Sequence, residues 1–145
     1  MLLCRKRNNT LEVIEKDSKY DQISDNEILF IEYGKRHSWQ QHKAVFAIAE
    51  TVLMNMPPGS EWDRMYMANP NQAKYNFVKA VEWDLGYFEL MPNVDGTWRR
   101  EIKSIKMYEM EHDEFNEFFN KYLDYCAQLL NCRPEQLLEL SNAGL

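Results

Sequence analysis

Residues 115–130 carry the clearest periodicity in the chain, and they constrain its fold more than any other segment. Apolar side chains recur there at the i, i+3, i+4 spacing of a helix that buries one face. They are Phe115, Phe118, Phe119, Tyr122, Leu123, Cys126, Leu129 and Leu130. Asn131 is placed to end this helix, and Pro134 to begin a short final helix through Leu140. With a hydrophobic fraction of 45%, the chain has the side chains to form a core around it.

Two more helices are predicted in the middle of the chain. Residues 38–41 have the spacing of a capping box, and helical spacing follows from Val45 to Met56. Pro57-Pro58-Gly59 then stops this helix. Residues 60–68 are predicted to be an irregular loop. Residues 69–86 form the next predicted helix, which Asn-Pro opens and a glycine ends.

Short strands are predicted in two pairs. The first pair is Leu11–Ile14 and Glu27–Tyr33, and the second is Tyr87–Met91 and Thr97–Met107. Residues 93–96 join the second pair through an Asp-Gly step, which suits a tight hairpin turn. The sequence therefore predicts an α+β fold of order ββααββαα. In it, a small antiparallel sheet made of two hairpin-like pairs is covered by about four helices.

The size and composition of the chain suit one domain. We expect that domain to span residues 1–145, with residues 1–10 and 141–145 frayed. Three basic residues follow the first four residues of the sequence, so we expect no signal peptide there. No run of about 18 apolar residues predicts a membrane span. Three cysteines cannot all pair in disulfides, which favours a reducing compartment. We therefore expect a cytoplasmic protein, and the absence of a predicted span gives no membrane partner.

The sequence contains no recognisable catalytic, nucleotide-binding or metal-binding motif. Its five glycines form neither GxGxxG nor GxxxxGK[ST], and its histidines and cysteines form neither HExxH nor CxxC. We therefore expect a non-enzymatic protein with no catalytic residues, no cofactor and no metal. An enzymatic function is the least favoured of three hypotheses, because it would need distant residues such as His37, Glu82 and Asp84 to meet in a cleft.

Two basic segments interleaved with aromatic residues are candidates for contact with nucleic acid. Residues 35–43 cross the predicted start of a helix, where free backbone N–H groups attract phosphates. Residues 98–106 lie on a predicted strand, where alternation separates Arg99 and Lys103 from Arg100 and Lys106. The predicted contacts are Arg36, Trp39, Gln40, Lys43, Arg99, Arg100 and Lys103. The alternative for each segment is a solvated surface around one buried tryptophan.

The net charge of −6 lies entirely in the last part of the chain. Residues 107–145 hold two basic and eight acidic side chains, whereas residues 1–106 are balanced. An acidic helical surface of this kind could occupy a positively charged channel on a nucleic-acid-binding protein. The candidate residues for such a contact are Glu111, Glu114, Glu117 and Asp124. The alternative is a solvated helix face.

Several short motifs occur in an order that resembles a known group of proteins. Arg36-x-x-x-x-Gln41-His42-x-x-x-Phe46 opens a helix after a predicted strand. Asp95-Gly96-Thr97, Ser104-Ile105 and Met110-x-x-x-Glu114-Phe115 follow in sequence. Over residues 27–130 this order resembles a family of phage proteins of unknown function. More distantly, it resembles the lambdoid-phage NinB (Orf) recombination mediators.

The resemblance implies a phage-encoded, dimeric protein in the host cytoplasm that favours single-stranded DNA. Arg36, Gln41 and His42 match the motif that opens the helix, and they overlap the first basic segment. The first functional hypothesis is therefore a phage accessory protein that binds nucleic acid in recombination or replication. The second is a counter-defence inhibitor of the anti-CRISPR type, which would use the acidic helices to block a host nucleic-acid-binding effector.

Overall fold

The computed structural model of this protein describes residues 3–15, 19–28, 36–105 and 110–143. These residues belong to two compact units, one within residues 1–32 and one within residues 33–145.

The first unit contains a two-stranded antiparallel hairpin. Strands β1 (Leu3–Arg7) and β2 (Thr10–Glu15) pair with Arg5 opposite Glu12, and a short 3-10 helix follows at Tyr20–Gln22. β2 confirms the strand predicted at Leu11–Ile14, but the predicted pair was wrong in its partner, because the described strand that pairs with β2 is β1. β1 lies within the terminal stretch that was expected to fray. Most of the strand predicted at Glu27–Tyr33 lies outside the described residues.

Within its described residues, the second unit contains five helices and a second hairpin. Its elements are α1 (Arg36–Met54), α2 (Glu61–Ala68), α3 (Pro70–Leu85), β3 (Phe88–Pro92), β4 (Trp98–Ile102), α4 (His112–Leu129) and α5 (Pro134–Leu140). Over the whole chain, the described elements confirm an α+β fold with two antiparallel strand pairs. Their order is that predicted, with one additional helix.

The additional helix is α2, which replaces the irregular loop predicted at residues 60–68. The Ser60 hydroxyl oxygen accepts a hydrogen bond from the backbone N–H of Asp63, 3.3 Å away, and caps the helix. Trp62, Met65 and Tyr66 follow at i, i+3, i+4 spacing and pack half-buried against the core. The loop prediction was wrong because it gave too little weight to a cap followed by this short stripe.

The start of α1 and the end of β4 also differ from the predictions. The prediction that residues 38–41 form a capping box is wrong, because α1 begins at Arg36 and Ser38 therefore lies within the helix. The strand predicted to reach Met107 ends at Ile102. By contrast, Asn69 caps α3 as predicted, with its side-chain oxygen accepting from the N–H of Gln72 at 3.2 Å.

The core of the second unit lies where α1, α3 and α4 meet. The predicted stripe on α4 is buried from Phe115 to Cys126, whereas Leu129 at the end of the helix is 49% exposed. Asn131 follows the helix with a φ of 50°, as expected for the residue that ends it. Tyr122 joins the three helices, because its ring approaches Phe77 and its hydroxyl donates to the backbone oxygen of Val45 at 2.9 Å.

The hairpin of β3 and β4 projects from this core. The predicted turn is confirmed: Gly96 adopts a φ of 87°, and the N–H of Asn93 donates to the oxygen of Thr97 at 2.7 Å. At the base of the hairpin, Tyr87 is buried and its ring lies edge-on to Phe118, with centroids 5.2 Å apart. Toward the turn the side chains are largely exposed, so the hairpin presents both of its faces to solvent.

Candidate nucleic-acid interface

The register of the second hairpin sorts its side chains onto two faces. Pairs run from Phe88 opposite Ile102 to Pro92 opposite Trp98, so alternate residues share a face. We call one side the aromatic face; its members are Phe88, Leu90, Trp98 and Arg100, together with Trp83 from the end of α3. We call the other side the charged face; its members are Glu89, Met91, Arg99, Glu101 and Lys103.

The aromatic face is an exposed apolar surface with one cation. Trp98 is 65% exposed, Leu90 is 60% exposed and Trp83 is 43% exposed. The Trp83 and Phe88 rings lie side by side, with centroids 5.2 Å apart. The guanidinium of Arg100 lies 4.9 Å from the centre of the Phe88 ring and 5.9 Å from that of Trp83. The arginine is therefore held against aromatic rings by cation–π attraction while it remains exposed to solvent.

The cations of the charged face are bound by the protein's own acceptors. A terminal nitrogen of Arg99 lies 2.6 Å from Oε1 of Glu101, and the guanidinium also donates to the side chain of Asn93 and the backbone oxygen of Pro92. The ammonium of Lys103 lies 2.5 Å from a carboxylate oxygen of Glu114 on α4. This hydrogen bond raises the pKa of Lys103. Neither cation is as available to a phosphate as Arg100.

The first basic segment forms a separate cluster on the first turns of α1. The ammonium of Lys43 lies 5.2 Å from the centre of the half-buried Trp39 ring, which stacks on His42 at 6.0 Å. His42 stacks in turn on Phe115, and burial lowers its pKa. Gln40 is half-buried, and the side chain of Arg36 lies outside the described part of the chain. Lys43 is thus the exposed cation among the side chains of this cluster that the structure describes.

Of the predicted contact residues, the structure brings Trp39 and Lys43 together on α1, whereas those on the hairpin lie on two different faces. Lys103 pairs with the first turn of α4, which also carries the Phe115 ring that stacks on His42. Arg100 points to the opposite face of the same strand. The predicted basic residues therefore lie on both faces of the hairpin and at the start of α1.

The acidic candidates are divided in a similar way. Glu114 is paired with Lys103, and Glu117 is paired with Lys121 one turn along α4 at 2.5 Å. Glu111 and Asp124 are exposed. The remaining acidic surface is thus narrower than the sequence alone suggested, because half of the candidate carboxylates already have a cation.

Sequence reasoning missed four of the five members of the aromatic face. Trp98 lies in the second basic segment but was not among the predicted contacts. Phe88 and Leu90 alternate with Glu89, and pairing them across the predicted turn would have placed them beside Trp98 and Arg100. Trp83 could not be placed this way, because its position depends on how the end of α3 packs against the hairpin.

A catalytic or metal site is not apparent in the part of the chain that the structure describes. Glu82 is buried in the core, whereas Asp84 is exposed and accepts a hydrogen bond from the hydroxyl of Tyr125 at 2.6 Å. These two carboxylates therefore do not share a cleft, and the side chain of His37 lies outside the described residues. No group of three or more potential metal ligands occurs among the residues described.

Comparisons with protein families, with curated proteins and with solved structures found no match to this chain. Among the described helices, none combines the length and apolar character needed to cross a bilayer.

Proposed function

We propose that this protein is a non-enzymatic phage accessory protein that binds single-stranded nucleic acid in recombination or replication. The observation that carries the proposal is the aromatic face, where Trp98 and Trp83 are exposed on the same side as Arg100. Unpaired bases stack on aromatic side chains, and a neighbouring arginine adds charge and a planar surface. A duplex offers few free base faces to such a surface, so a single strand is the better ligand.

Stacking also suits the charge of this chain. A net charge of −6 opposes the approach of a phosphate backbone, so nonspecific electrostatic binding should be weak. Affinity must then come from contacts that do not depend on net charge, and base stacking is one of these. Lys43 beside Trp39 provides a second, smaller aromatic and basic contact on the same unit.

Two neighbouring arginines provide the test of this proposal. We expect Arg100→Gln to weaken binding of a labelled single-stranded oligonucleotide clearly more than Arg99→Gln does, because Arg99 is already held by Glu101. The two changes remove the same charge from adjacent positions of one strand. Fluorescence polarisation at low salt, repeated at increasing salt, measures the affinity and its electrostatic part.

A second change tests the stacking itself. Trp98→Ala removes an exposed ring on which a base can stack. We expect it to weaken binding by about 1–3 kcal/mol, or roughly 5- to 150-fold in affinity, which is the contribution of one stacked base. Trp62→Phe serves as a control, because Trp62 lies half-buried on α2 and packs edge-on against Phe77. Absence of binding by the unchanged protein at tens of micromolar rejects the proposal, as does equal loss from the Arg99 and Arg100 changes.

The counter-defence hypothesis retains one specific observation in its favour. Glu111 and Asp124 are exposed on or beside α4, and neither forms an ion pair among the described residues. The test is capture of a positively charged host nuclease from lysate, comparing Glu111→Lys/Asp124→Lys with Glu61→Lys on α2 as the control. We expect the double change to abolish capture and the control to retain it. Capture that survives the double change rejects this second hypothesis.

A further inference from the structure

The backbone of β4 has one edge that β3 does not use. The N–H of Asn93 donates to the oxygen of Thr97, and the N–H of Lys103 donates to the oxygen of Tyr87 at 3.0 Å. In an antiparallel pair, residues two apart repeat this pattern. The backbone groups of Arg99 and Glu101 therefore face β3, whereas those of Trp98, Arg100 and Ile102 face away from it. Among the described residues, no other strand pairs with this outer edge.

The outer edge of β3 carries a proline, whereas the outer edge of β4 does not. By the same register, Phe88, Leu90 and Pro92 carry the outward-facing backbone groups of β3. Proline has no N–H to donate, and proline on an edge strand discourages a further strand from pairing there. β4 has no proline, so an added strand is expected at β4 rather than at β3.

We propose that β4 of a second copy of this chain pairs with this edge in an antiparallel arrangement, with Arg100 on the two-fold axis. In this register the outward-facing N–H and C=O groups of the two strands can hydrogen-bond to each other, because Trp98 of each copy lies opposite Ile102 of the other. Arg99 and Glu101 already pair within each copy, and this register places each of them opposite the unlike charge of the other copy, so that the four charges alternate in sign. Sliding the strands by one hydrogen-bonded step instead opposes Arg99 to Arg99 or Glu101 to Glu101. Charge complementarity thus selects one register.

The pairing would turn two isolated ribbons into a four-stranded sheet. Two-stranded ribbons are marginally stable, and a wider sheet with an apolar face is more stable. The two aromatic faces would lie side by side and form one longer surface. The cost is that two Arg100 side chains meet at the axis, but each is drawn back over the rings of Phe88 and Trp83. This inference does not require the proposed function, because the pairing involves only the protein.

Charge reversal with complementation tests the register on the full chain. Sedimentation velocity over a range up to about 100 µM should show a dimer for the unchanged protein. Arg99→Glu opposes glutamate to Glu101, and Glu101→Arg opposes arginine to Arg99, so each variant alone should be monomeric. Mixed in equal amounts, the two variants should form a heterodimer, which also shows that both are folded. Glu89→Arg lies on the same face but on β3, and it should remain dimeric.

Three results would overturn the inference: a monomeric unchanged protein, a dimer that survives both reversals, or a mixture of the two variants that stays monomeric. The outcomes of this test and of the binding test of the unchanged protein can be told apart. A dimer that binds no oligonucleotide rejects the proposed function alone, and a monomer that binds one rejects the pairing alone.

Discussion

Replacing Glu82 by glutamine should abolish a loss of stability that the unchanged protein undergoes as the pH rises from about 5 to about 8. Glu82 lies on α3 with 2% of its surface exposed, and its Oε2 atom has no hydrogen-bond partner among the described residues. Burial raises the pKa of this carboxyl from 4.5 to about 8, although the charge of Lys79 opposes the shift. The folded protein therefore keeps a proton that the unfolded chain releases.

The sign follows from where the proton is bound. Below pH 4.5 both states are protonated, so the contribution to stability is fully present there. Between 4.5 and about 8 only the folded state holds the proton, so the free energy of unfolding falls with rising pH. The slope approaches about 1.4 kcal/mol per pH unit in that window. Above it, the carboxylate is charged in both states and the loss is complete.

Urea unfolding at several pH values measures this effect as the difference between the unchanged protein and Glu82→Gln. Other groups that titrate contribute equally to both proteins and cancel. Glu82→Met should remove the same pH dependence and also stabilise the protein further, because it leaves no buried polar atom without a partner. A difference between the unchanged protein and Glu82→Gln that stays constant across this pH range would contradict the assignment of the buried proton to Glu82.

Local chemistry made parts of the fold predictable. The stripe on α4 was found because many apolar residues share one helical period, and the hairpin turn was found because Asp95-Gly96 fixes its geometry locally. α2 was missed because its stripe is short and, although half-buried residues pack from it, none of its residues is fully buried. A helix is easier to predict from its apolar spacing when that spacing repeats over more turns.

The candidate site was less predictable, because it depends on contacts between elements. Alternation along β4 correctly separated Arg100 from Arg99 and Lys103. It could not show that Lys103 meets Glu114, and this ion pair joins a residue from the nucleic-acid hypothesis to one from the acidic-surface hypothesis. Charges that are far apart in the sequence looked like independent surfaces, although in the fold they neutralise each other.

A loss of stability of about 3–5 kcal/mol is expected for Tyr122→Ala, the largest destabilisation predicted for this protein. Tyr122 is fully buried on α4, with its ring 5.5 Å from that of Phe118 and 6.5 Å from that of Phe77 on α3. Its hydroxyl donates to the backbone oxygen of Val45 on α1 at 2.9 Å. The change would leave a cavity where the three helices meet and would remove the hydrogen bond that joins two of them.

Tyr122→Phe separates these two contributions, because it keeps the ring and removes only the hydroxyl. We expect it to cost about 1 kcal/mol, the net worth of one buried hydrogen bond. Urea unfolding should show lower midpoints for both variants with little change in the slope, since the surface exposed on unfolding is nearly the same. If Tyr122→Ala cost no more than Tyr122→Phe, the packing of the ring would contribute little. The core would then have to depend on the other contacts among α1, α3 and α4.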